Sequence, residues 1–345
     1  MPADESKASL EGLSARWRNA TGTGPIDDRR GRLGPLVNEV RRHAALRAIL
    51  PRRLQGFPFT KPAWPGTVPY EPEPSDLGAD YDTTWARRSA ARAARTAINL
   101  AILRPLVSVM AKPDVDGLDR IAHLSGPVIF TPNHHSHVDT MLMLTAIPET
   151  FRKKTVVAAG ADYFFDTRIK AAAAALVLGA IPIERRKVSR NSAYLAQALL
   201  EEGWSVVIFP EGGRSPDGWG QDWKPGAAFL ALRAGVPVVP VHLEGTDRVF
   251  PKGARLPKRD TTTVTFGHPI EPQAGDDARR FGSRIEQAVT ALADESRTDW
   301  WSARQRAATG RTPPLTGPPG VIGWRRSWAR TTADKAREKP RRAWP

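Results

Sequence analysis

Between residues 113 and 270 short β-forming runs alternate with stretches of helical spacing. GPVIF (126–130), WSVVIFP (204–210), VPVVPV (236–241) and TTTVTF (261–266) have strand length and β-branched or aromatic content. LAQALLEE (195–202) and GAAFLALRAG (226–235) carry apolar residues three and four apart, as a helix does. The alternation argues an α/β sheet domain over 113–296. Upstream, residues 84–112 place Ala94, Ile98, Ile102, Leu106 and Val109 or Met110 at helical spacing, behind Arg87, Arg88, Arg92 and Arg95. That is an amphipathic helix, basic first and apolar later. Six prolines in the 19 residues 57–75 resist helix and sheet, so residues 1–83 are expected to be a mostly extended arm. After residue 296 the pattern gives way to PPLTGPPG and Arg-rich text holding five of the eleven tryptophans, a basic tail over 297–345. No internal repeat is visible.

A chain of 345 residues can bury a sizeable core. The absence of cysteine removes disulfides, thiolate metal sites and a cysteine nucleophile, and suits a reducing compartment. MPADESKASL at the start lacks the basic-then-apolar order of a secretory signal. The longest apolar segment, AAAAALVLGAIPI (171–183), is too short to span a bilayer, so no spanning helix is expected. The net charge of +15 lies at the ends of the chain. Residues 1–112 hold 18 basic against 11 acidic residues and 297–345 hold 12 against 3, whereas 113–296 hold 21 against 22. A near-neutral sheet domain with basic flanks points to an anionic surface met outside the active centre, and argues against nucleic acid as a specific partner.

NHHSHVD (133–139) places three of the seven histidines and a carboxylate in seven residues, where a strand runs into a helix. Ser136 and Asp139 have capping-box spacing, which makes Asp139 a helix-cap candidate. His134 with Asp139 is also the spacing of a general base and its orienting acid, and one carboxylate can serve both ends. A metal would need His134 and His137 with a carboxylate, but the chain offers no further ligand set, so no metal is expected. His135 and His137 are expected to be structural or solvent-facing.

NHHSHVD resembles the Asn-His-x-x-x-x-Asp signature of the glycerophospholipid acyltransferases, the family of 1-acylglycerol-3-phosphate acyltransferase. Three further blocks follow in that family's order. GAIPIERR (179–186) resembles Gly-x-Ile-x-Ile-Asp-Arg with Glu184 for Asp; FPEGGRS (209–215) resembles Phe-Pro-Glu-Gly-Thr-Arg-Ser with Gly213 for Thr; VPVVPV resembles the proline-bearing fourth block. The resemblance implies a mixed, largely parallel sheet flanked by helices, with the N-terminal arm, the helix and the basic tail as additions. It implies transfer of a fatty acyl group from acyl-CoA or acyl carrier protein, as donor substrate without a cofactor, to the hydroxyl of a phosphorylated, lysophosphatidic-acid-like lipid acceptor. His134 is the expected base and Asp139 its orienting acid. Arg185 and Arg214 offer planar forks for a phosphate, Gly212 and Gly213 let backbone N–H groups approach an anion, and Glu211 positions the acceptor or the loop. The alternatives are the same chemistry on a glycolipid or other hydroxyl, hydrolysis of the thioester, and a basic lipid- or nucleic-acid-binding protein. The expected location is the cytosolic face of an anionic membrane, peripherally bound through the helix and the tail.

Overall fold

The computed structural model describes residues 77–184, 190–215, 218–252 and 254–317. All lie in the unit Glu73–Pro345. Of the expected arm only residues 77–83 fall among them. They form a single tight turn, Gly78–Asp80, tied down where the Gly78 N–H donates to the Phe165 carbonyl at 2.9 Å and Tyr81 meets the Phe165 ring at 5.6 Å.

Seven strands are present: β1 (Pro113–Asp116), β2 (Ile129–Pro132), β3 (Thr155–Gly160), β4 (Ala180–Ile183), β5 (Ser205–Val207), β6 (Val238–Glu244) and β7 (Thr262–Phe266). They form one sheet in the order β1-β7-β6-β2-β5-β3-β4. Every pairing is parallel except β6 with β7, so the sheet is mixed and largely parallel, as expected. Ten α-helices flank it among the described residues: α1 (Ser89–Ala111), α2 (Asp139–Ala146), α3 (Glu149–Arg152), α4 (Ala161–Phe164), α5 (Arg168–Ala173), α6 (Arg190–Glu201), α7 (Gly226–Ala234), α8 (Thr246–Val249), α9 (Ala278–Arg297) and α10 (Trp300–Ala308).

Strand residues alternate between two cores. Ile129, Val156, Val206 and Val238 join Leu199 and Leu200 of α6, Ala227 and Ala231 of α7, and Phe281 and Ile285 of α9. Their neighbours Phe130, Val157, Val207 and Val239 join Val107 and Ala111 of α1 and Leu142 and Met143 of α2. Burial on both faces makes the central strands read as continuous apolar runs. Pro240 sits inside β6, where its carbonyl accepts from the Gly267 N–H (2.8 Å) just beyond β7. A Cβ at Gly267 would stand 2.7 Å from Pro240 Cγ, so the proline ring requires the glycine opposite it.

The helix at 84–112 is present, and most of its expected apolar stripe stays open to solvent. Asn99, Leu103, Val107 and Ala111 face the domain, while Ala94, Ile102, Leu106 and Val109 are exposed with Leu100. Two local features shape it. Arg95 is drawn inward, its guanidinium donating to the carbonyls of Ala86 (2.7 Å), Ala175 (2.9 Å) and Leu176 (2.8 Å). Pro105 cannot donate to the turn before it, and a π-turn at Asn99–Leu103 absorbs the break, with the Arg104 N–H reaching back to the Asn99 carbonyl. The 23 residues Ser89–Ala111 are also long and apolar enough to cross a membrane, which corrects the expectation that no segment has that length and composition. Those residues include Arg92, Arg95 and Arg104, which break up the apolar run in the sequence.

The boundary expected at residue 297 is likewise displaced. α9 is followed directly by α10, capped by Asp299 and locked by a bidentate pair between Arg306 and the buried Asp294 (2.6 and 2.9 Å). Leu315 then buries itself against Val289, Ala293 and Trp223. Residues 297–317 therefore belong to the folded domain, and the rest of the basic tail lies outside the described residues.

Candidate active site

The first block leaves the C-terminal end of β2, a central strand, and the site forms there. Asn133 is buried and pairs like an extra strand residue with Leu243 at the end of β6: its Oδ1 accepts from the Leu243 N–H (2.7 Å) and its Nδ2 donates to the Leu243 carbonyl (2.9 Å). This bond fixes where the chain turns and delivers His134 to the rim.

His134 Nδ1 lies 2.8 Å from Asp139 Oδ2. The carboxylate is fully buried and the imidazole is 17% exposed. The same Oδ2 accepts from the backbone N–H groups of His135 (2.7 Å) and Ser136 (2.8 Å). One carboxylate thus holds both the loop and the ring, and the Ser136 bond is half of the expected capping box; the Ser136 hydroxyl instead donates to the Phe250 carbonyl (2.7 Å). Burial pushes the Asp139 carboxyl up, but the bond and charge of His134, the Ser136 N–H and the Thr246 hydroxyl outweigh it and leave the group below its usual range. A carboxylate at Nδ1 selects the tautomer whose Nε2 lone pair is free to take a proton. The ring rests 4.2 Å from Phe209, whose face restricts its rotation.

Glu211 is spent on main chain. Its Oε1 accepts from the His134 N–H and its Oε2 from the Gln221 N–H, each at 2.8 Å, so it splices the first block to the loop before α7. Burial pushes this carboxyl up to about 7 against those two N–H groups, with the charges of Asp139 and Glu286 adding to the rise. Gly212 adopts φ +67 and gives its N–H to the Phe209 carbonyl (3.0 Å), closing the turn. Lys224 lies across it, so close that a Cβ on Gly212 would stand 2.9 Å from Nζ. The Gly213 carbonyl accepts from Gln221 Nε2 (2.8 Å).

Arg214 points its guanidinium at His137 Nε2, with the Tyr163 ring 5.8 Å from its Cζ. The Ser215 N–H donates to the His134 carbonyl (3.0 Å), so the third block is stitched to the first. The fold thus gathers His134, Asp139, Glu211, Gly212, Gly213 and Arg214 around one rim. Arg185 lies outside the described residues. Asn133, Tyr163 and Phe209 join the cluster without having been singled out, as does His137, expected to be structural or solvent-facing; Asn133 was visible in the first block, whereas Tyr163 arrives from α4, 24 residues after Asp139, with no local signal. Among the described residues no group of three or more His, Asp or Glu is disposed to hold a metal ion.

Residues 112–244 match the family model described as Acyltransferase. Similar proteins include the 1-acyl-sn-glycerol-3-phosphate acyltransferase BAT2, chloroplastic, of Brassica napus, 29% identical over 41% of this chain and 40% of its own length. The 1-acyl-sn-glycerol-3-phosphate acyltransferase LPAT1, chloroplastic, of Arabidopsis thaliana is 32% identical over 48% of this chain and 45% of its own. The human 1-acyl-sn-glycerol-3-phosphate acyltransferase alpha is 27% identical over 51% and 62%. The chain thus spans less than two thirds of each of these curated relatives. Among solved structures, the 1-acyl-sn-glycerophosphate (LPA) acyltransferase PlsC from Thermotoga maritima matches 64% of this chain and 85% of its own, at 23% identity and a TM-score of 0.49.

Proposed function

We propose, on the premise that residues 112–244 belong to the acyltransferase family, that the protein transfers a fatty acyl group from a thioester to the hydroxyl of a lysophosphatidic-acid-like acceptor. The observation that carries the chemistry is the 2.8 Å contact between His134 Nδ1 and the fully buried Asp139 carboxylate. In the proposed step the acceptor hydroxyl gives its proton to His134 Nε2 as its oxygen attacks the thioester carbonyl carbon. The tetrahedral intermediate collapses, the C–S bond breaks, and the imidazolium returns the proton to the leaving thiolate. Asp139 stabilises the transient imidazolium, and no covalent enzyme intermediate is required. The donor is acyl-CoA or acyl carrier protein, as substrate rather than cofactor. Three curated relatives named for 1-acyl-sn-glycerol 3-phosphate support a phosphorylated acceptor here. Arg214, with Arg185 from the second block, is the proposed fork for its phosphate.

The proposed location is the cytosolic face of an anionic membrane. The exposed apolar residues Leu100, Ile102, Leu106 and Val109 of α1, with Arg104 among them, support contact with the headgroup layer, where lipid substrates are met. The test is to incubate the purified chain with labelled acyl-CoA or acyl carrier protein and a panel of acceptors. Phosphatidic acid from lysophosphatidic acid is the expected product. Label found only as free fatty acid would make the protein a hydrolase, and label on unphosphorylated hydroxyls alone would remove the phosphate fork.

A further inference from the structure

His137 is not needed for the acid–base step, yet the structure gives it a defined partner. Its Nε2 receives the Arg214 guanidinium. A guanidinium only donates, so that nitrogen is a lone pair and the ring is neutral, with its proton on Nδ1. The ring packs 4.9 Å from Phe250, which sets its plane. Burial first, then the charge of Arg214, hold this imidazole below its ordinary value; His134 acts in the same sense and Asp139 opposes it. These are the charged groups that face it: Arg214 from the loop after β5, and His134 and Asp139 from its own loop and helix. Phe250, from the end of α8, brings no charge.

We propose that His137 is a second recognition residue for the acceptor's phosphate. It holds Arg214 through the Nε2 lone pair; when a phosphomonoester binds, Arg214 turns its fork to the phosphate. His137 then takes a proton from solvent and donates Nε2–H to a phosphate oxygen. The exchange follows from charge: a cation beside Nε2 disfavours imidazolium, and an anion in its place favours it. A neutral hydroxyl acceptor offers no such reversal, so the pair selects for a phosphomonoester. This rests on the reading that Arg214 meets the acceptor's phosphate.

The direct observation is the imidazole NMR titration of the full chain with labelled histidine, with the His137 resonance assigned by its loss in His137→Gln. It is expected to titrate below about 6.5, the ordinary histidine value, in the protein alone. With a short-chain 1-acylglycerol 3-phosphate it is expected above that value, and with the corresponding monoacylglycerol it is not expected to move. In steady-state assays His137→Phe keeps the ring against Phe250 but removes the nitrogen. It is expected to raise KM for the phosphorylated acceptor roughly ten- to hundredfold, with kcat little changed, and His137→Gln to raise it less. A titration that ignores the phosphorylated ligand, or an unchanged KM in His137→Phe, overturns the proposal. If Arg214→Ala leaves the ratio of KM values for phosphorylated and unphosphorylated acceptors unaltered, the underlying reading of Arg214 fails instead.

Discussion

Each carboxylate in this site answers to main-chain donors as well as to chemistry. Asp139 was legible from spacing, because a strand exit followed by a helix start brings residues five apart together. Glu211 was legible as a residue but not in its bonds, since its partners lie 77 positions before it and 10 after it. His137 escaped because sequence relates it only to Asp139, whereas its partner Arg214 is 77 residues away. Glu211 carries a pH prediction with a definite sign. Its folded value of about 7 exceeds the 4.5 of an ordinary glutamate, so between those limits the folded state holds the extra proton. Stability is then expected to fall as pH rises across that window, by up to on the order of 3 kcal/mol. Glu211→Gln cannot titrate and should flatten the slope. Denaturant unfolding at several pH values measures it, and identical slopes in the two proteins would show that Glu211 is not the group responsible.

At the scale of elements, the central strands were legible because both their faces are buried and their apolar runs are uninterrupted. β1, β3 and β4 were not: β1 is an edge strand of alternating exposure with two aspartates, and β3 and β4 are small-residue strands around the Ala-rich helix α5. α1 was found by its period, but the inward turn of Arg95, satisfied by three carbonyls, had no signal in the sequence. The segment after α10 has a structural consequence that composition hides. The Leu315 carbonyl accepts from the Gly220 N–H (2.9 Å), the next residue Gln221 donates to Glu211, and Glu211 holds the His134 N–H. Deleting residues 311–345 is therefore expected to lower kcat by about tenfold or more through a misplaced base, while deleting only 318–345 leaves kcat for a soluble short-chain acceptor close to wild type. Equal rates for the two truncations, both folded by circular dichroism, would show that the strap does not reach the base.

At the scale of the whole molecule, the sequence concentrates basic residues towards its two ends around a near-neutral stretch 113–296, and α1 exposes an apolar stripe. Ile102→Glu with Leu106→Glu is expected to cut sedimentation with anionic vesicles severalfold without changing turnover of a soluble acceptor. Undiminished sedimentation would place docking elsewhere. The claim on which the rest depends is that His134 is the base and Asp139 its acid. Transfer of labelled acyl-CoA to lysophosphatidic acid by folded His134→Ala is expected to fall about 10²–10⁴-fold, and by Asp139→Asn to fall less, since an amide can keep the three bonds of Oδ2 but not its charge. Near-normal turnover by a folded His134→Ala protein would contradict the mechanism.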